Sequence, residues 1–232
     1  MARLFLVPNL ISNSDWRLML PADVANILAG TIFYIVENIR TARRFLKKIN
    51  SETDIDKLTF FELNKYTDKS EIAGFLAPIE QGMDIAVISE AGSPGIADPG
   101  AEVVKIAHQR GYKVVPLAGP SSILMGLMAS GLNGQNFAFN GYLPVKRRER
   151  VLAIKELEKR ASKLNQTQIF IETPYRNNAL LADIISSCSL PTLLCIAADI
   201  TGEDEFIATK TIGQWKKEIP DLHKKPTVFL IG

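Results

Sequence analysis

The chain has 232 residues, 47% of them hydrophobic and 22% charged, with a formal net charge of +2. That length suits one large domain or two small ones and buries a core without disulfide staples. A net charge this small does not mark a nucleic-acid binder, so any basic patch has to be found locally.

Short β-rich runs alternate with helical stretches. In chain order the pattern predicts a strand at 3–7, a helix at 22–28, a strand at 31–36, and helices at 40–49 and 69–81. A strand at 84–89, a helix at 100–110, a strand at 113–117 and a helix at 121–129 follow. The remainder reads as strand 137–142, helix 148–163, strand 168–172, helix 177–187, strands 192–199 and 206–209, helix 211–219 and strand 227–231. Most strands are continuous apolar runs, as in parallel sheets covered by helices on both faces. The expected class is therefore α/β with mostly parallel sheets. In helix 148–163 the apolar face is carried by Val151, Ile154, Leu157, Ala161 and Leu164. The segment PLAGPSS at 116–122 interrupts the pattern with two prolines and a glycine. It separates an expected N-terminal α/β domain, 1–117, from a C-terminal one, 118–232. No internal repeat or low-complexity stretch is visible.

Cys188 and Cys195 form no CxxC pair, and with His108 and His223 they give no zinc spacing, so no metal is expected. No signal-peptide pattern opens the chain, and no apolar run reaches about 18 residues. The expected compartment is the cytoplasm, without membrane association.

The most informative segment is ISEAGSPGIADPG at 88–100, which leads from a strand into a helix. Ligands of open α/β sheets bind at such loops, outside the carboxyl ends of strands. Gly92, Gly95 and Gly100 allow close backbone approach to a ligand, Pro94 and Pro99 stiffen the loop, and Asp98 is placed to cap the next helix. A plain strand-to-helix turn needs fewer glycines and prolines than this. The segment matches neither a phosphate-cradling GK[ST] loop nor GxGxxG.

Together with PLAGPSSILMGLMASGL at 116–132, FAFNGYLPVKRRER at 137–150 and IFIETPYRN at 169–177, the segment resembles the tetrapyrrole methylase superfamily. Within it the blocks are most similar to the branch that methylates small-subunit ribosomal RNA. The resemblance implies two α/β domains with S-adenosylmethionine folded in a cleft between them, and a homodimer. By position it carries cofactor contacts onto Pro8 and Asn9, onto Ser89, Glu90, Ala91, Gly92, Ser93, Gly95, Ile96 and Asp98, and onto Ser121 and Ser122. Further contacts fall on Tyr142, Leu143, Glu172, Thr173, Asp199, Ile200 and Thr201. The chain departs from that branch in two places. It has VPNLIS at 7–12 where the branch has a glycine-containing loop, and VENIRT at 36–41 where the branch has an acidic EDTR block, so that Asn38 replaces an aspartate.

Methyl transfer from a sulfonium is an in-line displacement with a neutral leaving group, so alignment does most of the work. A hydroxyl or ring-carbon acceptor must also lose a proton, which calls for a base. Glu37, Glu90 and Asp98 are the candidates; each also has an ordinary reading, as solvated helix start, loop surface and cap. Between Lys146 and Lys163 eight basic residues face three glutamates. The later ones suit the solvated face of a helix. Lys146, Arg147, Arg148 and Arg150 crowd a helix N-terminus, where the dipole disfavours cations, and are expected to contact an anionic substrate. Phe33, Tyr34, Phe60, Phe61 and Tyr66 are expected in the core. Three functions compete: methylation of ribosomal RNA at a ribose 2'-hydroxyl, methylation of a small anionic tetrapyrrole- or corrin-like substrate, and non-catalytic cofactor binding.

Overall fold

The computed structural model describes residues 2–232, which divide between Ser121 and Ser122 into two compact units. The first unit runs β1 (Arg3–Val7), α1 (Trp16–Met19), α2 (Ala22–Ala29), β2 (Phe33–Val36), α3 (Ile39–Ile49) and β3 (Thr59–Glu62). It continues α4 (Lys69–Ile72), α5 (Ala77–Glu80), β4 (Ile85–Ile88), α6 (Gly100–Gln109) and β5 (Lys113–Pro116). Its strands form one sheet in the order β3-β2-β4-β1-β5, parallel throughout. The central strands are apolar on both faces because both are covered. Leu4, Ile35, Ile85 and Val87 enter one core cluster, while Phe5, Tyr34, Val36, Ala86 and Ile88 enter another.

The second unit runs α7 (Ser122–Ser130), β6 (Phe137–Tyr142), α8 (Arg147–Leu164), β7 (Thr167–Ile171) and α9 (Asn177–Ser187). It ends β8 (Leu193–Ala198), β9 (Phe206–Thr211), α10 (Ile212–Trp215) and β10 (Thr227–Ile231). The sheet order is β6-β7-β10-β8-β9. Here the expectation of mostly parallel sheets needs correcting. Among the described residues β6 and β7 pair in parallel, whereas β10 is antiparallel to both β7 and β8, and β8 to β9. The connection from β8 to β9 is too short for the crossover a parallel pair needs, so the two form a hairpin. Strands β7 and β8 both oppose β10, so β6, β7 and β8 point the same way and end at one edge. Phe170 stacks on Phe229 at 5.9 Å in the core, and buried Trp215 donates its ring N–H to the Leu194 carbonyl at 2.9 Å.

Other departures from the sequence pattern have local causes. The expected helix 69–81 breaks into α4, a 3-10 turn and α5, because Pro78 has no N–H to give and sits in the first turn of a new helix. The expected helix 211–219 shrinks to α10, with Thr211 as its cap: the Thr211 hydroxyl accepts from the Gln214 N–H. Strand β3, TFFE, was not predicted; it is a short edge strand with half-buried aromatic side chains. Phe60 stacks on Tyr34 at 5.5 Å and Phe61 on Phe33 at 6.4 Å, but Tyr66 is 82% exposed and no part of the core. On α8, Ile154, Leu157 and Ala161 are buried as expected, whereas Leu164, at the left-handed Asn165 cap, is exposed.

Candidate active site

All strands of the first sheet are parallel, so their carboxyl ends share one edge. Strand β1 lies beside β4, yet it connects onward to β2 across β4, and β4 connects to β5 across β1. The chain thus leaves this pair of strands in opposite directions, at the switch point where open α/β sheets bind ligands. The loops after β1 and β4 are tied together there. Asn9 and Gly92 exchange backbone hydrogen bonds of 2.8 and 3.1 Å. The buried Asn9 side chain donates to the carbonyls of Ser89, at 2.9 Å, and Glu90, at 3.2 Å. The Ser89 hydroxyl closes the loop on the Gly92 carbonyl at 2.8 Å. Gly92 has φ +69°, a left-handed conformation that glycine adopts without strain. The loop after β5 packs onto the loop after β1 so closely that a Cβ on Gly119 would lie 2.2 Å from Pro8 Cγ. Ser121 ends this segment, buried.

The three candidate carboxylates stand along the same edge. One oxygen of Asp98 accepts from the N–H groups of Gly95 and Gly100, both at 2.7 Å, which folds the loop back and starts α6. Burial pushes the Asp98 carboxyl above its ordinary range, against the pull of those two N–H groups. Glu37, half-buried, accepts the Glu90 N–H at 3.2 Å. Its carboxyl is raised first by burial; the Glu90 N–H opposes the rise and the charges of Asp98 and Glu90 add to it. Glu90 is exposed, and its carboxylate accepts the Thr41 hydroxyl at 2.5 Å. Asn38 caps α3 through the N–H groups of Arg40 and Thr41, at 2.9 and 3.3 Å. Asparagine caps as well as aspartate, so the departure at this position keeps the local structure. A small cavity lined by Val36, Glu37, Ser89, Asp98 and Pro99 lies among these groups. The edge is acidic and suits a cationic or hydroxyl-bearing ligand better than a phosphate.

In the second unit the remaining expected contacts follow β6, β7 and β8 and so share the carboxyl edge of that sheet; Ser122 opens α7 instead. Tyr142 is exposed, but Leu143 and Ile200 are buried in the core and have only backbone groups to offer a ligand. The buried Glu172 accepts from the Thr173 N–H at 2.6 Å and Arg176 at 2.5 Å. Among the described residues its second oxygen has no partner. Asp199 and Thr201 hold positive φ, 46° and 67°, in a tight turn where the Thr201 N–H donates to Glu205 at 2.7 Å.

The basic run divides. Lys146 and Arg148 are exposed at the start of α8. Arg150 is not available to a substrate: its side chain is 9% exposed and donates to Asp183 from two nitrogens, at 2.6 and 2.9 Å, and to the Val145 carbonyl at 2.7 Å. Its position on α8 faces α9, where the Asp183 side chain is only 4% exposed. Arg147 donates to the other oxygen of Asp183 at 2.8 Å while 75% of its side chain stays in water. Sequence reasoning passed over Asp183. The available signal was a single acidic residue among the apolar positions of helix 177–187.

Both cysteines are free and buried, and burial pushes the Cys188 thiol up to about 12, so neither is a reactive nucleophile. Among the described residues no group of three or more His, Cys, Asp or Glu is placed to hold a metal, and no helix is long and apolar enough to cross a membrane.

A parallel α/β unit with a glycine-rich, acidic loop at its switch point is joined to a mixed α/β unit, and strand ends of this kind are where open α/β sheets take small ligands. Residues 10–216 match the family described as Tetrapyrrole (Corrin/Porphyrin) Methylases, and the chain belongs to that family. It is a methyltransferase of the S-adenosylmethionine-dependent kind. It is 30% identical over 231 residues to the ribosomal RNA small subunit methyltransferase I of Vibrio cholerae, a match covering 98% of this chain and 76% of that protein. The protein of the same name from Buchnera aphidicola subsp. Schizaphis graminum is 31% identical over 234 residues, covering 98% and 77%. The one from Escherichia coli O157:H7 is 31% identical over 174 residues, 74% of this chain and 59% of that protein, less than two-thirds of its length. The fold resembles the crystal structure of the methyltransferase CobJ, with a TM-score of 0.64 at 16% identity over all of this chain and 94% of that one.

Proposed function

We propose that this chain transfers the methyl group of S-adenosylmethionine to a ribose 2'-hydroxyl of small-subunit ribosomal RNA. The observation that carries the acceptor is the similarity, over 98% of the chain, to proteins named for methylating that RNA. The exposed Lys146, Arg147 and Arg148 agree with a polyanionic acceptor. The second reading, a small corrin- or porphyrin-like acceptor, is favoured by the description of the family itself.

The acidic edge of the first sheet fits the cofactor, which carries a sulfonium and an ammonium group. The proposed contacts are Pro8, Asn9, the loop from Ser89 to Asp98, and Ser121. Those proposed for the second unit are Ser122, Tyr142, Leu143, Glu172, Thr173, Asp199, Ile200 and Thr201. When bound, the cofactor supplies a methyl group activated by its positive sulfur. The chain's own task is to align the acceptor oxygen with it and to receive that oxygen's proton. Of the three carboxylates, Glu90 suits the second task best. It is exposed, Thr41 orients its carboxylate, and Glu37 holds its N–H. Asp98 is committed to its own loop. A cytoplasmic location and a homodimer belong to the same proposal; the homodimer rests on the resemblance alone.

Calorimetry with S-adenosylmethionine and its demethylated product tests the cofactor assignment. Micromolar-range binding is expected, and no heat from either ligand on folded protein contradicts it. Glu90→Gln separates base from cofactor contact, since loss of turnover with unchanged cofactor affinity is the outcome expected of a base.

A further inference from the structure

The carboxyl edge of the second sheet carries a surface to which the sequence pattern assigned no role, although Tyr175 lies within the 169–177 block. Tyr175, in the connection between β7 and α9, is 71% exposed. The His223 ring meets it edge to face, with centroids 6.0 Å apart. His223 belongs to the segment that leads into β10, and β10 is antiparallel to β7, so both segments reach the same edge. Four hydrogen bonds stitch them together. The Lys224 N–H donates to the Pro174 carbonyl at 3.1 Å and Asn177 to the Lys225 carbonyl at 2.6 Å. Asn178 donates to Asp221 at 2.7 Å and accepts the Leu222 N–H at 2.8 Å. Lys224, at φ +61°, is held by this stitching in a conformation that side-chain-bearing residues rarely adopt. The outcome is an exposed aromatic ring on a braced support rather than on a loose loop.

Charge says what the ring faces. The exposed His223 and Lys224 and the half-buried Lys225 flank it on one side. Strand β6 neighbours β7 on the other side and leads into Lys146, Arg147 and Arg148. Of the nearby acids, Glu172 is paired with Arg176, and Asp221 keeps its charge while accepting from Asn178 and the His223 N–H, set against Lys224 and Lys225. The free acids Glu203 and Asp204 belong to the β8–β9 connection, on the far side of β10 from β7. An anion is thereby directed to the β6-β7-β10 half of the edge.

We propose that Tyr175, braced by His223, is a stacking platform for an unpaired base of the RNA acceptor, with Lys224 and Lys225 on the adjoining phosphates. Single-stranded RNA is read through bases stacked on aromatic side chains beside cationic groups, and that combination is present here. The proposal rests on the ribosomal RNA reading and extends it from phosphate contact to a base.

The test uses the full chain with a fluorescein-labelled unstructured RNA oligonucleotide and, separately, small-subunit ribosomal RNA. Tyr175→Ala is expected to weaken RNA binding by about tenfold to a hundredfold, and Tyr175→Phe by less than about threefold. Cofactor affinity should stay unchanged in both. The salt dependence separates the two roles. Tyr175→Ala should leave the slope of log K against log salt unaltered, whereas changing Lys224 and Lys225 together to Ala should reduce it by roughly 0.7 per lost contact. Wild-type RNA affinity in Tyr175→Ala overturns the platform while the acceptor reading stands. Failure of the wild-type protein to bind either RNA overturns both.

Discussion

Replacing Asp183 with alanine removes the one carboxylate that neutralises Arg150. The Arg150 guanidinium, 9% exposed, would keep only the Val145 carbonyl as a partner. Breaking a buried ion pair by deleting one member costs roughly 3–5 kcal/mol, because the surviving charge stays buried. Arg147 holds the same carboxylate from the surface, so water reaches one side and the expected cost lies near the lower figure. With a urea m-value of about 2 kcal/mol/M, roughly 3 kcal/mol moves the unfolding midpoint down by about 1.5 M. The pH dependence follows from the sign of the shift. Burial alone would raise the Asp183 carboxyl, but the hydrogen bonds and charges of Arg147 and Arg150 outweigh it and hold it below its ordinary value of 3.8. The stabilisation is therefore full above about pH 4 and is lost as the pH falls through the lower folded value. The gap between wild type and Asp183→Ala in urea melts should accordingly be constant from pH 5 to 8 and shrink below about pH 4. Replacing both partners, Arg150→Met with Asp183→Leu, should restore most of the stability. A loss below about 1 kcal/mol in Asp183→Ala, or a gap that widens towards acid pH, would refute the reasoning.

Gly119→Ala must displace Pro8, since its Cβ would lie 2.2 Å from that ring. It should cost about 1–3 kcal/mol in thermal melts and weaken cofactor binding measured by calorimetry. Gly92→Ala meets only ordinary contacts, at 3.4 Å from Ile11, but forces alanine to φ +69°, so a milder loss of about 1–2 kcal/mol is expected in the same assays. Glu37 has a raised folded value, so its contribution is full below its unfolded value of about 4.5 and declines as the pH rises through the folded one. Glu37→Gln keeps the acceptor for the Glu90 N–H without the charge; it should match wild type in melting temperature near pH 4 and exceed it above pH 6. Changing Lys146, Arg147 and Arg148 together to Ala should weaken RNA binding and lower its salt slope, with cofactor affinity unchanged.

The first unit was the more legible of the two. Continuous apolar runs at β1, β2 and β4 follow from helices on both faces, and the glycines of 88–100 announced a loop at strand ends. The second sheet read less well because an apolar run carries no sign of strand direction. Residues Thr227–Ile231 look the same whether β10 runs with β7 or, as it does, against it. Strand β3 escaped notice because an edge strand of four residues, half-buried, shows little pattern. Arg150 was assigned to the substrate and Asp183 passed over for one reason: each is polar by type, and only their pairing across α8 and α9 makes them interior residues. Asn38 stood out as a departure from the acidic block of the related branch, and its cap on α3 shows that the local structure is kept.

Transfer of labelled methyl from S-adenosylmethionine, offered in parallel to small-subunit ribosomal RNA and to an anionic tetrapyrrole, tests the central claim most directly. The account predicts label in the RNA, at a ribose that becomes resistant to alkaline cleavage on its 3' side, and a sharp fall in Glu90→Gln. Label in the tetrapyrrole and none in the RNA would contradict it.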